Sequence, residues 1–146
     1  MNNNSFKIQA AILSEFHEGH KKTAISKLKK YLIKNSEDNN ARLNLAYMYV
    51  NLNFIKKAIT EYKIILKQKK DLQAMFNLSI CFSSLKNFYE SETMLKKIIK
   101  IDKNYFKAYR ALGDVYFNLN NLSEARRNLL IAKKQTPNDS ILLNIL

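Results

Sequence analysis

An all-α solenoid of short helix–turn–helix repeats is the fold this sequence predicts, and three observations carry the prediction. Residues of matching size recur at intervals of 33 or 34, apolar residues inside each interval follow helical spacing, and the 146 residues include only two Gly and one Pro. Tight β-hairpins need those turn formers, so their scarcity argues against hairpin-rich architectures.

The recurrence is read by sliding one segment along the chain. Gly113, Ser79, Ala46 and Ile12 share a column, at separations of 34, 33 and 34. Three places on stand Tyr116, Phe82 and Tyr49, and then Leu119, Leu85 and Leu52. A second small column holds Ala125, Ser91, Ala58 and Ala24. After it come Leu129, Leu95, Tyr62 and Leu28, and then Ala132, Ile98, Ile65 and Tyr31. Four copies result, at residues 5–38, 39–71, 72–105 and 106–139, preceded by a frayed segment 1–4. Residues 140–146 read as a capping turn or the truncated start of a fifth copy, and the one missing residue falls in the 67–71 link.

Taken in order, the first copy is weakest in its opening helix, where Ile12 occupies the small site and Glu15 the aromatic one. Its second half, from Gly19 through Ala24 and Leu28, is regular. In the second copy Leu45, Tyr49 and Leu52 form one stripe. Ile55, Ala58, Ile59, Tyr62, Ile65 and Leu66 form the next, both at helical period. The third and fourth copies repeat this pattern, the fourth closing on Thr136-Pro137-Asn138-Asp139. Asn39, Asp71 and Asn104 are the expected N-caps of first helices. Gly19-His20, Asn53, Lys86-Asn87 and Asn120-Asn121 mark the breaks between paired helices. The small columns let paired helices approach closely, and stacked pairs, each touching only its neighbours, make a solenoid.

Composition narrows the function. Apolar residues make up 47% and charged residues 25%, enough for a core and a solvated surface. A lone Cys81 excludes an internal disulfide. No run approaches the roughly 18 apolar residues of a membrane span, and the opening Met1-Asn2-Asn3-Asn4-Ser5 reads as no secretion signal. The expected compartment is the cytoplasm. Net charge is +13, yet Lys supplies 21 of the 25 cations and Arg four, alongside 18 Asn and 15 Ile. That joint enrichment is what AT-rich codons produce, whereas phosphate binders commonly draw on Arg for its planar fork. The lysines fall mainly on second helices, where a solvated face is the plain reading.

Leu112-Gly113, Tyr116, Ala125, Leu129, Ala132 and Pro137 in a 34-residue helix–turn–helix unit resemble the tetratricopeptide repeat, with Tyr109 where that family often has Trp. The resemblance covers about 135 of 146 residues. The pentatricopeptide repeat, which reads RNA bases, lacks this Ala and Gly placement. The resemblance implies a right-handed α-solenoid whose first helices line a concave groove, and a protein that works by binding another protein.

Chemistry is sparse. His17 and His20 flank Glu18-Gly19 and read as exposed turn residues rather than metal ligands, since Gly19 ends the helix between them. Cys81, within Ile80-Cys81-Phe82, reads as a buried, inert thiol. Two isolated glycines make no phosphate loop. The expectation is no enzyme, no cofactor and no metal.

The groove residues expected outside the core columns are Asn44, Tyr47 and Asn51 from the second copy, Asn77, Ile80 and Ser84 from the third, and Lys107, Arg110, Asp114 and Asn118 from the fourth. Asn44 and Asn77 share a column, and a carboxamide pairs with peptide main chain whatever its sequence. This is similar to the asparagine ladder of O-linked N-acetylglucosamine transferase repeats, with the ladder failing at Ala10 and Ala111. The carboxylate clamp for chaperone tails fits less well. Asn77 and Lys107 match it, but Leu43, Tyr47 and Ala111 stand where a Lys, an Asn and a basic residue are expected. The expected function is a non-catalytic scaffold holding an extended peptide or helix of a protein partner, acidic by charge complementarity. The alternatives are the N-terminal recognition module of a transferase-type enzyme, or RNA binding through the lysine-rich convex face. Homodimerisation through the apolar C-terminal edge is a further expectation.

Overall fold

A computed structural model of the chain describes residues 3–134. It contains eight helices in four consecutive pairs: α1 (Asn3–His17) with α2 (Lys21–Lys34), α3 (Asn39–Asn51) with α4 (Ile55–Gln68), α5 (Leu72–Ser84) with α6 (Phe88–Ile101), and α7 (Phe106–Asn118) with α8 (Leu122–Lys133). No strand occurs among the described residues. Two compact units result, Met1–Lys70 carrying α1–α4 and Asp71–Leu146 carrying α5–α8. Helix α1 takes in Asn3 and Asn4, which fall outside the first copy expected from the sequence. Met1, Asn2 and residues 135–146, with Pro137 and the apolar C-terminal edge, lie outside the described residues.

Each pair is closed by the same three-residue link. Gly19, Asn53, Lys86 and Asn120 have φ of 102°, 59°, 61° and 58°, the left-handed region. In the second pair Asn53 N–H donates to Val50 O (2.9 Å) and Phe54 N–H to Tyr49 O (2.8 Å). These are the two bonds of a Schellman motif, which satisfies carbonyls that the last helical turn leaves open. The equivalent bonds are Asn87 N–H to Phe82 O (2.9 Å) and Asn121 N–H to Tyr116 O (2.8 Å). The residue that completes the motif is also the N-cap of the second helix, so no slack separates the two. Asparagine tolerates this conformation and glycine enters it freely, whereas at Lys86 it costs about 1–2 kcal/mol.

Past the turn, side-chain size sets the approach of the paired helices. A Cβ built on Gly113 would lie 2.7 Å from Leu129 Cγ and 3.3 Å from the Ala125 carbonyl oxygen, with Leu129 itself buried. Ser79 and Ala46 hold the same place in α5 and α3, and both are fully buried. Ile12 occupies the same column of α1 and is also buried. The second small column, Ala24, Ala58, Ser91 and Ala125, is buried throughout, and Ser91 Oγ accepts from Ser83 Oγ at 2.9 Å.

The starts of first helices correct two expected caps. Asp38, not Asn39, caps α3, its Oδ1 accepting from Ala41 N–H at 3.0 Å; Asn39 is already helical. Asp71 caps α5 through Ala74 N–H at 2.9 Å, as the sequence suggests. At α7 the N-cap is Tyr105 with no side-chain bond, and Asn104 instead donates its N–H to Asp102 Oδ1 at 2.8 Å. Aspartate wins at α3 because its charged oxygen also gathers donors from elsewhere. Asp38 Oδ2 accepts from Tyr31 Oη (2.8 Å), Ser5 Oγ (2.9 Å) and Gln9 Nε2 (2.9 Å), tying α1, α2 and α3 at one carboxylate. Burial alone would raise its pKa. The hydrogen bonds from Ala41, Tyr31, Ser5 and Asn40 outweigh that and hold it below the ordinary aspartate value.

Helices α3 and α4 share a largely shielded ion pair, Arg42 Nη1 to Glu61 Oε2 at 2.8 Å, with side chains only 12% and 15% exposed. Arg42 also donates to Ser36 O at 3.0 Å. The matching positions one copy later are Met75 and Met94.

Three outcomes are expected in denaturant melts. Gly113→Ala loses about 1 kcal/mol, because overpacking of about 1–3 kcal/mol exceeds the roughly 1 kcal/mol gain in helix propensity; an unchanged or raised stability would contradict the close approach. Glu61→Ala costs about 2–3 kcal/mol by stranding Arg42, while Arg42→Met/Glu61→Met stays within about 1 kcal/mol of wild type. The third concerns pH. A depressed Asp38 pKa contributes stability above the ordinary value of 3.8, lost as pH falls through the lower folded value. Asp38→Asn therefore lowers stability at neutral pH by about 1 kcal/mol and flattens the acid limb below about pH 4; an acid limb as steep as wild type's would remove Asp38 as its source.

Candidate peptide-binding faces

Because each unit contains two first helices, each presents its own candidate face. In the first unit α1 and α3 pack together. Asn44 is half-buried on α3, and its Nδ2 donates to Oε1 of buried Gln9 at 3.0 Å. Its carboxamide is thus oriented by the same network that surrounds Asp38. Tyr47 is 42% exposed and leans on α1, its ring 6.4 Å from Phe16 and 6.1 Å from His17. His17 is therefore the last residue of a helix and part of an aromatic cluster, not the turn residue expected from Gly19. His20 does lie in the turn, as the N-cap of α2.

In the second unit α5 and α7 pack side by side. Asn77 is half-buried and Ile80 is 40% exposed on α5; Lys107 and Asp114 are exposed and Arg110 half-buried on α7. Asp114 is open to water and yet crowded by protein. That crowding pushes its carboxyl above the ordinary aspartate value, with Arg110 drawing it partly back. Phe117, 58% exposed on the same helix, was not among the residues expected from sequence. Its signal is an aromatic side chain outside the core columns of a first helix.

Three expected groove residues have a local task. Asn51 Nδ2 donates to Tyr47 O (2.9 Å), Ser84 Oγ to Ile80 O (3.0 Å) and Asn118 Nδ2 to Asp114 O (2.8 Å). They share one column at the ends of α3, α5 and α7, and each bonds the carbonyl four residues back in its own helix. Their side chains are thus engaged with their own helices, whereas Asn44 bonds across to α1.

Reactive groups are few. Cys81 is buried, and burial pushes its thiol up to about 11, so no thiolate forms near neutral pH. Among the described residues no three His, Cys, Asp or Glu side chains come together, and no described helix is long and apolar enough to cross a membrane.

The family model of the tetratricopeptide repeat matches residues 72–105, the span of α5 and α6 with their flanking links. Three solved structures share the fold. A crystal structure of MamA is 19% identical with a TM-score of 0.80, over 88% of this chain and 76% of that one. MamA from residue 41 to its end, from Desulfovibrio magneticus RS-1, is 16% identical with a TM-score of 0.84, over 97% and 81%. A tetratricopeptide repeat protein from Parabacteroides merdae ATCC 43184 is 18% identical with a TM-score of 0.86, over 94% of this chain and 54% of that one. Residues 72–105 thus match the tetratricopeptide repeat in sequence, and the eight paired helices have the fold of these solved structures.

Proposed function

We propose that the chain is a non-catalytic binding scaffold whose first-helix faces hold a segment of a partner protein. The fold itself generally mediates binding between proteins. The observation that supports the finer reading is the α5–α7 face. There Asp114 is desolvated beside Arg110, and the Asn77 carboxamide and the Ile80 side chain stand on the neighbouring helix. An amide that donates and accepts, a guanidinium and an apolar side chain suit an extended acidic peptide. The main chain meets the carboxamide, a carboxylate meets the guanidinium, and an apolar side chain covers Ile80. The Asn44–Tyr47 face of the first unit offers the same chemistry, with its carboxamide already oriented by Gln9. Net charge of +13 favours an acidic partner and speeds encounter at low salt.

The test is selection from a random peptide display library, with affinities of the enriched peptides measured for wild type and for Asn77→Ala/Arg110→Ala. Enrichment of Asp- and Glu-containing peptides is expected, weakened by about 30-fold or more in the double variant, which removes one amide and one charged hydrogen bond. No enrichment, or peptides indifferent to the two changes, would overturn the assignment.

A further inference from the structure

The positive charge is unevenly placed. Residues 1–70 contain fourteen Lys and Arg against five Asp and Glu; residues 71–146 contain eleven against seven. Within the first unit the excess concentrates on α2, KKTAISKLKKYLIK, with six lysines and no acidic residue. All six are exposed, and the helix buries Ala24, Leu28 and Leu32 on its other side. Lys27 alone among them is ion-paired in the described structure, with Glu15 of α1. In the second unit the lysine-bearing helix α6 also carries Glu90 and Glu92, and Lys96 is bonded to Glu92 at 2.6 Å. Codon drift toward lysine adds cations to every exposed face alike. It does not explain a helix stripped of carboxylates that sets Lys30 and Lys34 one turn apart, where like charges repel.

One apolar residue interrupts this field. Ile33 is 80% exposed, the highest value for any large hydrophobic among the described residues. It stands four positions after Lys29 and three after Lys30, so both flank it on the helix surface, with Lys34 beside it. Lys22, Ser26, Lys29 and Ile33 form one straight outward line.

We propose that the outward face of α2 docks on an anionic lipid surface, its lysines meeting headgroup phosphates and carboxylates while Ile33 enters the acyl boundary. Lysines attract such a surface as point charges. The isoleucine decides between lipid and nucleic acid, because a phosphate backbone gives an apolar side chain nothing to bury against. The helix also lacks what nucleic-acid recognition uses. It has no Arg, and its one aromatic ring, Tyr31, is half-buried with its hydroxyl on Asp38. These lysines and Ile33 lie on α2, whereas the candidate face of the same unit is carried by α1 and α3.

The experiment is co-sedimentation of the full chain with phosphatidylserine-containing vesicles and with pure phosphatidylcholine vesicles, at low and high salt, beside a duplex RNA titration. Wild type is expected to sediment with the anionic vesicles only, and less at high salt. Lys29→Glu/Lys30→Glu should reduce this at least about tenfold, and Lys97→Glu/Lys100→Glu on α6, an equal change in net charge, by less than about twofold. Ile33→Asn, at a solvent-exposed position with its fold verified by thermal melt, should weaken vesicle binding about three- to tenfold and leave any RNA binding unchanged. Vesicle binding indifferent to Ile33, dependence on net charge alone, stronger binding to RNA with the same lysine dependence, or no vesicle binding would each overturn the proposal.

Discussion

A single backbone constraint, the left-handed residue that closes each first helix, dictates how every helix pair in this molecule is built. Once Gly19, Asn53, Lys86 or Asn120 takes positive φ, the next residue returns its N–H to a carbonyl five positions back and caps the second helix. The second helix can then only fold back along the first, and which residues meet is set by counting from the turn. The small column on the first helix falls seven residues before the left-handed residue, and the small column on the second five after it, in every copy. Where both are small, as at Gly113 and Ala125, the backbones close up until a Cβ on Gly113 would lie 3.3 Å from the Ala125 carbonyl oxygen. The lysine at Lys86 shows that the geometry is imposed by the whole pair, since its own preference opposes it.

Periodicity alone made this much legible. Size columns survive in the sequence because each copy solves the same packing problem, and a turn that needs positive φ advertises itself through Asn and Gly. What periodicity cannot encode is the rotation of one helix against another, and the pairings missed from sequence depend on that rotation. Asn44 and Gln9 are 35 residues apart, Arg42 and Glu61 nineteen, and none of these pairs recurs in its columns. The capping error at α3 has the same origin. Asn39 and Asp38 are equally good caps on local grounds, and Asp38 is chosen by donors on α1 and α2.

The candidate faces were half legible for a related reason. Exposed first-helix positions follow from subtraction of the core columns, which places Asn44, Asn77, Arg110 and Asp114 on outward faces. Subtraction assigns no task, however, so Asn51, Ser84 and Asn118 looked alike with them although each bonds a carbonyl of its own helix. Asp114 is set apart by its surroundings, which push its carboxyl above the ordinary aspartate value.

The same distinction bears on how charge is used. In the second unit a lysine is neutralised locally. Glu92 accepts from Lys96 and from Tyr116 Oη at 2.8 Å, and that pairing holds the glutamate below its ordinary range. Lys96 thereby helps hold α6 against α7 and offers little field to a distant partner, because its charge is already compensated. Among the described residues every α2 lysine but Lys27 lacks such a carboxylate, and their potentials add over the distance of a Debye length, about 8–10 Å at physiological salt. A helix that gained nothing from this would be better served by an acid at one of its exposed positions, as α6 and α8 both have. Lys96 and most lysines of α2 thus stand in opposite surroundings, one beside a carboxylate of its own helix and the others on a helix with none. The difference is written in where the glutamates are, not in where the lysines are.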